Sequence, residues 1–232
     1  MIFAENISCT HAFTTRWGGL SKLPFNGLNL GGSDDDPELI LENRKIALKK
    51  LNLSIDNLCN LKQIHSNIVC VAKNGQQEGD ALVTNETGKI LAISIADCYP
   101  ILFYDKINNV IGAAHAGWRG TVSKIAKNTI EKMCELGADK KEIYVAIGQG
   151  ISQNNFEVGK EVIEEFLNNG FNKNIISENK IDLIKANKQV LFECDIEPKN
   201  IWTMNRCTFE NDFFSYRQDK GKTGRMWALI TL

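Results

Sequence analysis

The sequence predicts one α/β-type (α+β) domain over residues 1–232, with mixed β-sheets and flanking helices. Three observations lead there. Apolar runs at Ile90–Ala96, Ile101–Tyr104 and Val110–Ala114 read as buried strands. Segments with helical periodicity occur between strand-like ones. No repeat, low-complexity segment or linker divides the chain, whose length is ordinary for one such domain.

Cys9–Arg16 alternates as a strand and runs into a turn at Trp17–Ser21. An irregular stretch from Pro24 to Asp36 follows. Asp36 is placed as an N-cap before Pro37, and Leu39, Ile40, Ala47, Leu48 and Leu51 form the apolar face of a helix over 37–51. Leu58–Ala72 reads as one or two strands around Gln63-Ile64-His65, and Gly79–Thr84 as a short strand or its approach. Asn108-Asn109 marks a hairpin between the second and third apolar runs. Gly117 and Gly120 read as a turn. Val122, Ile125, Ala126, Ile130 and Met133 then share one face of a helix over 121–136, stopped by Gly137. Ile143–Ile147 is a strand, Val158–Leu167 an amphipathic helix, and 171–180 a polar surface loop. Ile181–Phe192 is a helix with Asp182 near its start, and Ile201–Met204 and Arg225–Ile230 complete the strands.

The 27 basic residues nearly balance the 28 acidic ones, so neither a nucleic-acid footprint nor a polybasic membrane anchor is expected. Met1-Ile-Phe-Ala-Glu-Asn6 lacks the basic and long apolar regions of a signal peptide, and no run approaches the ~20 apolar residues of a membrane span. Seven cysteines without close repeated pairs then read as reduced thiols of a cytoplasmic protein, most of them small core residues. No feature sets an oligomeric state.

The chain has three histidines, His11, His65 and His115. His65 interrupts a strand-like segment, His115 ends one, and Cys98 follows another. Their separations are too long for a zinc-finger repeat, so such ligands would have to converge from separate strands. Two imidazoles and a thiolate can hold zinc while leaving a fourth position open. Each histidine taken alone also fits a satisfied, partly buried side chain, and spacing does not decide between the two.

Several motifs occur in order: Arg16-Trp-Gly-Gly-Leu-Ser21, Lys62-Gln-Ile-His65, Gly79-Asp-Ala-Leu82, Ala96-Asp-Cys-Tyr-Pro100 and His115-Ala-Gly-Trp-Arg-Gly120. Phe156-Glu-Val-Gly159, Phe214-Ser-Tyr-Arg217 and Thr223-Gly-Arg225 follow. Over nearly the whole chain this set resembles the bacterial YfiH family, the laccase-domain or polyphenol-oxidase-like proteins. The resemblance implies a YfiH-like fold and the metal ligands His65, Cys98 and His115. It implies Zn2+ as the metal, with Cu2+ an older and less favoured assignment. The implied enzyme cleaves adenosine, inosine, guanosine or methylthioadenosine with inorganic phosphate and also deaminates adenosine. Two positions depart from the family pattern. Asn29-Leu-Gly-Gly-Ser-Asp34 lacks a histidine often found after Asn-Leu-Gly, and Ser66 stands where many relatives have glycine.

Phosphorolysis needs an anion site, and the planar fork of arginine suits phosphate. Arg16 and Arg119 are the catalytic candidates, each beside glycines that permit close backbone approach. A helix beginning near Thr121 would add its N-terminal amides. Structural roles compete: Arg16 closing a turn, Arg119 paired with a carboxylate. Asp97 would orient a ligand, exchange a proton or serve as a cap. Tyr99 and Trp118 would stack on a base or pack in the core. Arg217 and Ser215 would complete the pocket.

Other functions fit the same residues. A cysteine hydrolase would use Cys98 as nucleophile and His115 as base, and it would survive metal removal. A copper polyphenol oxidase by the multicopper route needs more imidazoles than three. A zinc-stabilised binding protein would close its metal site with a fourth protein ligand. Some relatives are also associated with editing of cell-wall precursors.

Overall fold

Period-two alternation divides each long apolar run between two layers of the molecule. The computed structural model describes residues 1–32 and 34–232; Ser33, within the departing 29–34 segment, lies outside the described residues. The first half contains β1 (Thr10–Phe13), α1 (Pro37–Lys49), β2 (Leu58–Lys62), β3 (Val69–Val71), β4 (Gly75–Glu78) and β5 (Ala81–Thr84). The centre holds β6 (Ile90–Ile95), β7 (Tyr99–Asp105), β8 (Val110–Ala116), α2 (Trp118–Val122), α3 (Ile125–Glu135) and β9 (Ile143–Ile147). The rest comprises α4 (Lys160–Asn168), β10 (Ile176–Ser177), β11 (Lys180–Ile181), α5 (Leu183–Glu193), β12 (Ile201–Thr203) and β13 (Met226–Thr231).

One sheet has the order β1-β13-β6-β2-β4 and the other β12-β9-β7-β8-β5-β3. Both are mixed. In the first, β13 is antiparallel to β1 and β6, whereas β2 is parallel to β6 and β4. In the second, β7 is antiparallel to β8 and β9, while β12 runs parallel to β9 and β3 to β5.

On β8, Ile111 and Ala113 pack toward the other sheet, in a core with Leu91, Ile93, Ala228 and Ile230. Val110, Ala114 and Ala116 point the opposite way, in a core with Ile125, Ile130 and Met133 of α3. On the far side of the first sheet, Ala47 and Leu48 of α1 pack with Ile90, Ala92, Trp227 and Leu229. The layers are therefore helix, sheet, sheet, helices. Burying a large aliphatic side chain contributes ~1.5–3 kcal/mol, and a one-residue slip of β8 would exchange its two faces. Register is thus firmly set, and alternation places His115 on the Ile111–Ala113 face, where β8 ends between the sheets.

Most expected elements form, including the Asp36 and Asp182 N-caps, whose side chains accept from the Glu38 and Lys185 amides. Three differ. The helix expected over 121–136 is two helices: α2 already starts at Trp118, and Lys124, at φ +58°, breaks the run before α3. Gly117 caps α2, and Gly120 lies inside it because a Cβ there would meet the Ser66 and His115 carbonyl oxygens at 3.2 and 3.3 Å. Strand β4, Gly-Gln-Gln-Glu, has no apolar alternation to announce it and forms by pairing with β2. Within 171–180, Phe171 and Ile175 are buried and β10 pairs with β11, so this segment is anchored at both ends. The cysteines are free thiols, and no helix among the described residues is long and apolar enough to cross a membrane.

Candidate metal centre and cavity

His65, Cys98 and His115 come from three separate places in the fold, and their ligand atoms lie within 4.8 Å of one another. His65 sits on the turn between β2 and β3 at φ +58°. Cys98 directly precedes β7, and His115 is the penultimate residue of β8. Cys98 Sγ is 3.9 Å from His65 Nε2, and the two imidazoles meet edge to face with centroids 4.9 Å apart. Zn–S and Zn–N bonds of about 2.3 and 2.1 Å imply a tetrahedral edge of roughly 3.6 Å, so the donor set fits such an ion. Gly117 leaves room for it: a Cβ there would stand 2.8 Å from Cys98 Sγ and 3.2 Å from His65 Cδ2.

Asp80 organises the two histidines. Its fully buried carboxylate accepts from His115 Nδ1 at 2.9 Å. The same carboxylate accepts from the Ile64, His65 and Ser66 amides at 3.3, 3.1 and 2.6 Å and from Ser66 Oγ at 2.6 Å. Nδ1 of His115 is thereby occupied and Nε2 left for the shared space. Burial pushes the Asp80 carboxyl up, but the His115 and Ser66 hydrogen bonds outweigh it and bring it to about 2. Burial also pushes the Cys98 thiol up; the His115 charge and the bonds from both imidazoles prevail and lower it to about 6. For His115, burial opposes charge, while Cys98 and Asp80 raise its pKa to about 9. Contact with one another therefore favours the Cys98 thiolate and the charged His115 imidazole in the metal-free centre.

The centre opens on a cavity of about 670 Å³. Trp118, Phe156 and Tyr216 line it, together with the cations Arg44, Lys62, Arg217 and Arg225. Asp97 is its carboxylate, and both oxygens are engaged: Thr208 Oγ1 donates at 2.6 Å and the Arg217 amide at 2.8 Å. Asp97 therefore ties the 208 and 217 loops to the cavity wall. Tyr99, expected as a possible base stacker, is a core residue whose hydroxyl donates to the Ile151 carbonyl. Ser215 is buried and caps the Gln218 amide, away from the lining.

The two arginines expected at an anion site lie off the lining. Arg16 donates to Asn26 Oδ1 and the Phe213 carbonyl and stacks 4.6 Å over Phe214, which closes the loop it precedes. Arg119 is exposed and lies 4.3 Å over the Trp118 ring, with no carboxylate in ion-pair range among the described residues. The expected helix-end contribution falls away too, because α2 has only five residues. His11, the third histidine, accepts from the Ala4 amide at 2.8 Å, and its other ring nitrogen lies 2.9 Å from the Cys9 carbonyl. It is structural.

The family described as multi-copper polyphenol oxidoreductase laccase matches residues 10–232. The chain belongs to this laccase-like YfiH family. Among YfiH-family structures, Bacillus licheniformis YfiH superposes with a TM-score of 0.91 at 30% identity, covering 96% of this chain and 92% of that one. Geobacillus stearothermophilus YlmD gives 0.88, also at 30% identity, covering 96% and 91%. A Deinococcus radiodurans relative named purine nucleoside phosphorylase is 43% identical over 236 residues, covering all of this chain and 92% of its own length. A relative named adenosine deaminase, from an unknown prokaryotic organism, is 35% identical over 251 residues, covering 98% and 96%. Such relatives point to a nucleoside-processing enzyme.

Asp80 and Arg225 stand in the motifs Gly79-Asp-Ala-Leu82 and Thr223-Gly-Arg225 but receive no role from the sequence, and Arg44 lies outside every motif. A lone carboxylate just before the apolar β5 is the physical signal for Asp80 beside its motif. Arg44 shares a helix face with buried Ala47 and Leu48, an unusual place for an unpaired cation.

Proposed function

We propose that this YfiH-family chain is a zinc-dependent purine nucleoside phosphorylase that also deaminates adenosine. The observation that carries this reading is the convergence of His65, Cys98 and His115 on an open, cation-lined cavity. Three protein ligands and an open position are what a catalytic zinc site requires, whereas a structural site is closed by a fourth. Bound zinc would supply Lewis acidity at the cavity wall. The chain itself supplies orientation: Asp80 fixes the His115 ring, and Trp118, Phe156 and Tyr216 offer faces against which a purine can lie. In phosphorolysis a bond forms between a phosphate oxygen and ribose C1′, and the bond from C1′ to the purine breaks. Adenosine, inosine, guanosine and methylthioadenosine are the proposed substrates, with inorganic phosphate. Copper chemistry by the multicopper route is disfavoured, since His11 is already engaged and two imidazoles remain.

The deciding measurement incubates metal-quantified protein with adenosine or inosine, with and without phosphate, and follows base release and ammonia. Phosphate-dependent base release that disappears in His65→Ala and Cys98→Ala is expected. Absence of both base release and deamination at full zinc occupancy would overturn the reading.

One observation favours a second reading. The lowered Cys98 thiol, His115 and Asp80 form a Cys-His-Asp arrangement that could serve a cysteine hydrolase. Chelation separates the two: a hydrolase keeps its activity without metal, and the phosphorylase loses it.

A further inference from the structure

Arg44 and Arg225 share a place on the cavity wall although they come from α1 and from the residue just before β13. Arg44 Nε donates to the Leu30 carbonyl at 2.8 Å, which orients its guanidinium, and Cζ lies 5.3 Å from the Trp227 ring centroid. Arg225 Nη1 donates to the Thr223 and Gly224 carbonyls at 2.9 and 3.0 Å, and Cζ lies 5.5 Å from the Tyr216 ring. Both flank one turn. A Cβ on Gly31 would stand 2.5 Å from Arg44 Nη2, and one on Gly32 would stand 3.2 Å from Arg225 Cγ. Side chains at 31 and 32 would therefore crowd the space these guanidiniums use.

What the pair lacks, among the described residues, is a carboxylate in ion-pair contact. Arg206 is the arginine with carboxylate partners among the described residues, Glu210 and Asp212. Arg44 Nη1 and Nη2, and Arg225 Nε and Nη2, have no protein hydrogen-bond partner among the described residues. Burial lowers the pKa of both groups, so a bound anion would relieve the cost of keeping two partly buried cations charged. Arg225 also feels the charges of Asp97 and, more weakly, Tyr216 and Cys98, which ties this wall to the metal centre.

We propose that Arg44 and Arg225 form a subsite for a tetrahedral oxyanion of the phosphate class, bound by their free N–H donors beside the Gly31–Gly32 turn. The inference rests on the phosphorylase reading for the presence of a phosphate co-substrate. The same chemistry would accept the 5′-phosphoryl group of a nucleotide. Paired charge-assisted hydrogen bonds are the strongest that arginine makes, so losing one fork has a large effect.

Zinc-loaded full-length protein is titrated calorimetrically with inorganic phosphate, beside Arg44→Gln and Arg225→Gln variants of matched zinc content and circular dichroism. Each variant is expected to bind phosphate at least tenfold more weakly and adenosine within twofold of the parent. Unchanged phosphate affinity in both overturns the subsite. Should a glutamine variant not fold, the lysine variant at that position keeps the charge without the fork, and its phosphate affinity is expected to fall at least threefold; no change counts against the subsite. Adenosine 5′-monophosphate distinguishes the sources. If the subsite serves free phosphate, phosphate and adenosine bind together and the nucleotide gains nothing over adenosine. If it serves a nucleotide, the monophosphate binds more tightly, competes with phosphate and loses its advantage in Arg225→Gln. Arginine-dependent phosphate binding without base release would leave the subsite standing and remove the phosphorylase reading. Base release with an unchanged phosphate KM in both variants would do the reverse.

Discussion

Asp80 and His115 are joined twice, side chain to side chain and backbone to backbone. Nδ1 of His115 donates to Oδ1 of Asp80 at 2.9 Å, and the His115 amide donates to the Asp80 carbonyl at 2.7 Å. The pairing of Ala81 with Ala114 brings them alongside. Since the Asp80 carboxylate also receives the Ile64, His65 and Ser66 amides, one buried group sets the direction of both imidazole ligands.

Asp80→Asn should therefore weaken zinc without dismantling the fold. An amide retains the size but cannot accept on both sides, and loss of a partner behind a metal-bound histidine typically costs 10- to 100-fold in affinity. Ser66→Gly removes one of five bonds to Asp80 and should cost threefold or less. Zinc competition with a chromophoric chelator measures both. Equal affinities for Asp80→Asn and the parent would show that His115 needs no orientation from Asp80.

Metal removal should expose a reactive thiolate. In the metal-free centre Cys98 is brought down to about 6 by the two imidazoles, against an ordinary thiol near ~8.5. Its thiolate is populated above that value and lost below it, so alkylation should rise through pH about 6 and then level off. Zinc should protect it. Iodoacetamide labelling with peptide mapping distinguishes Cys98 from the other thiols, and a midpoint near that of a free cysteine would contradict the thiolate–imidazolium pair.

Gly117 tests how tightly the centre is built. A methyl group there meets Cys98 Sγ at 2.8 Å and His65 Cδ2 at 3.2 Å, so Gly117→Ala must displace at least one ligand. Overpacking typically destabilises by about 1–3 kcal/mol, and zinc affinity should fall at least tenfold. Cobalt substitution reports it: the visible ligand-field bands of the variant should weaken or shift. An unchanged spectrum and affinity would mean that the ligands move aside freely.

The parts legible in the sequence are those whose causes are local. Ile101–Tyr104 and Val110–Ala114 announce buried strands through their unbroken apolar runs, within the observed Tyr99–Asp105 and Val110–Ala116, and Asp36-Pro37 announces α1 through its own cap. His65, Cys98 and His115 stand out only through motifs and resemblance, since His65 follows β2 of the first sheet while Cys98 directly precedes β7 and His115 lies on its partner β8 in the second. Arg44 and Arg225 were hidden for the same reason: their proximity depends on the 29–32 turn lying between α1 and the start of β13. Arg16 and Arg119 looked suitable beside their glycines, but side-chain direction decided otherwise. Gly120 misled as a turn because close packing, rather than backbone freedom, accounts for its small size.

Asp97, next in the chain to the ligand Cys98, provides the last test. Its Oδ1 and Oδ2 receive Thr208 Oγ1 and the Arg217 amide, while its own carbonyl receives the Ile151 amide at 2.9 Å. Three segments distant in sequence thus meet on one residue. Hydrogen bonds to a charged group contribute about 1.5–3 kcal/mol each, so Asp97→Ala should lower the unfolding free energy by roughly 2–4 kcal/mol. Thr208→Val removes one bond of the same set and should cost about 1–2 kcal/mol. Urea denaturation measures both. Because the 217 loop carries Tyr216 and Arg217 into the cavity, the nucleoside KM of Thr208→Val should rise severalfold while zinc affinity stays within twofold. A fall in zinc affinity instead would mean that the Asp97 latch supports Cys98 rather than the loop.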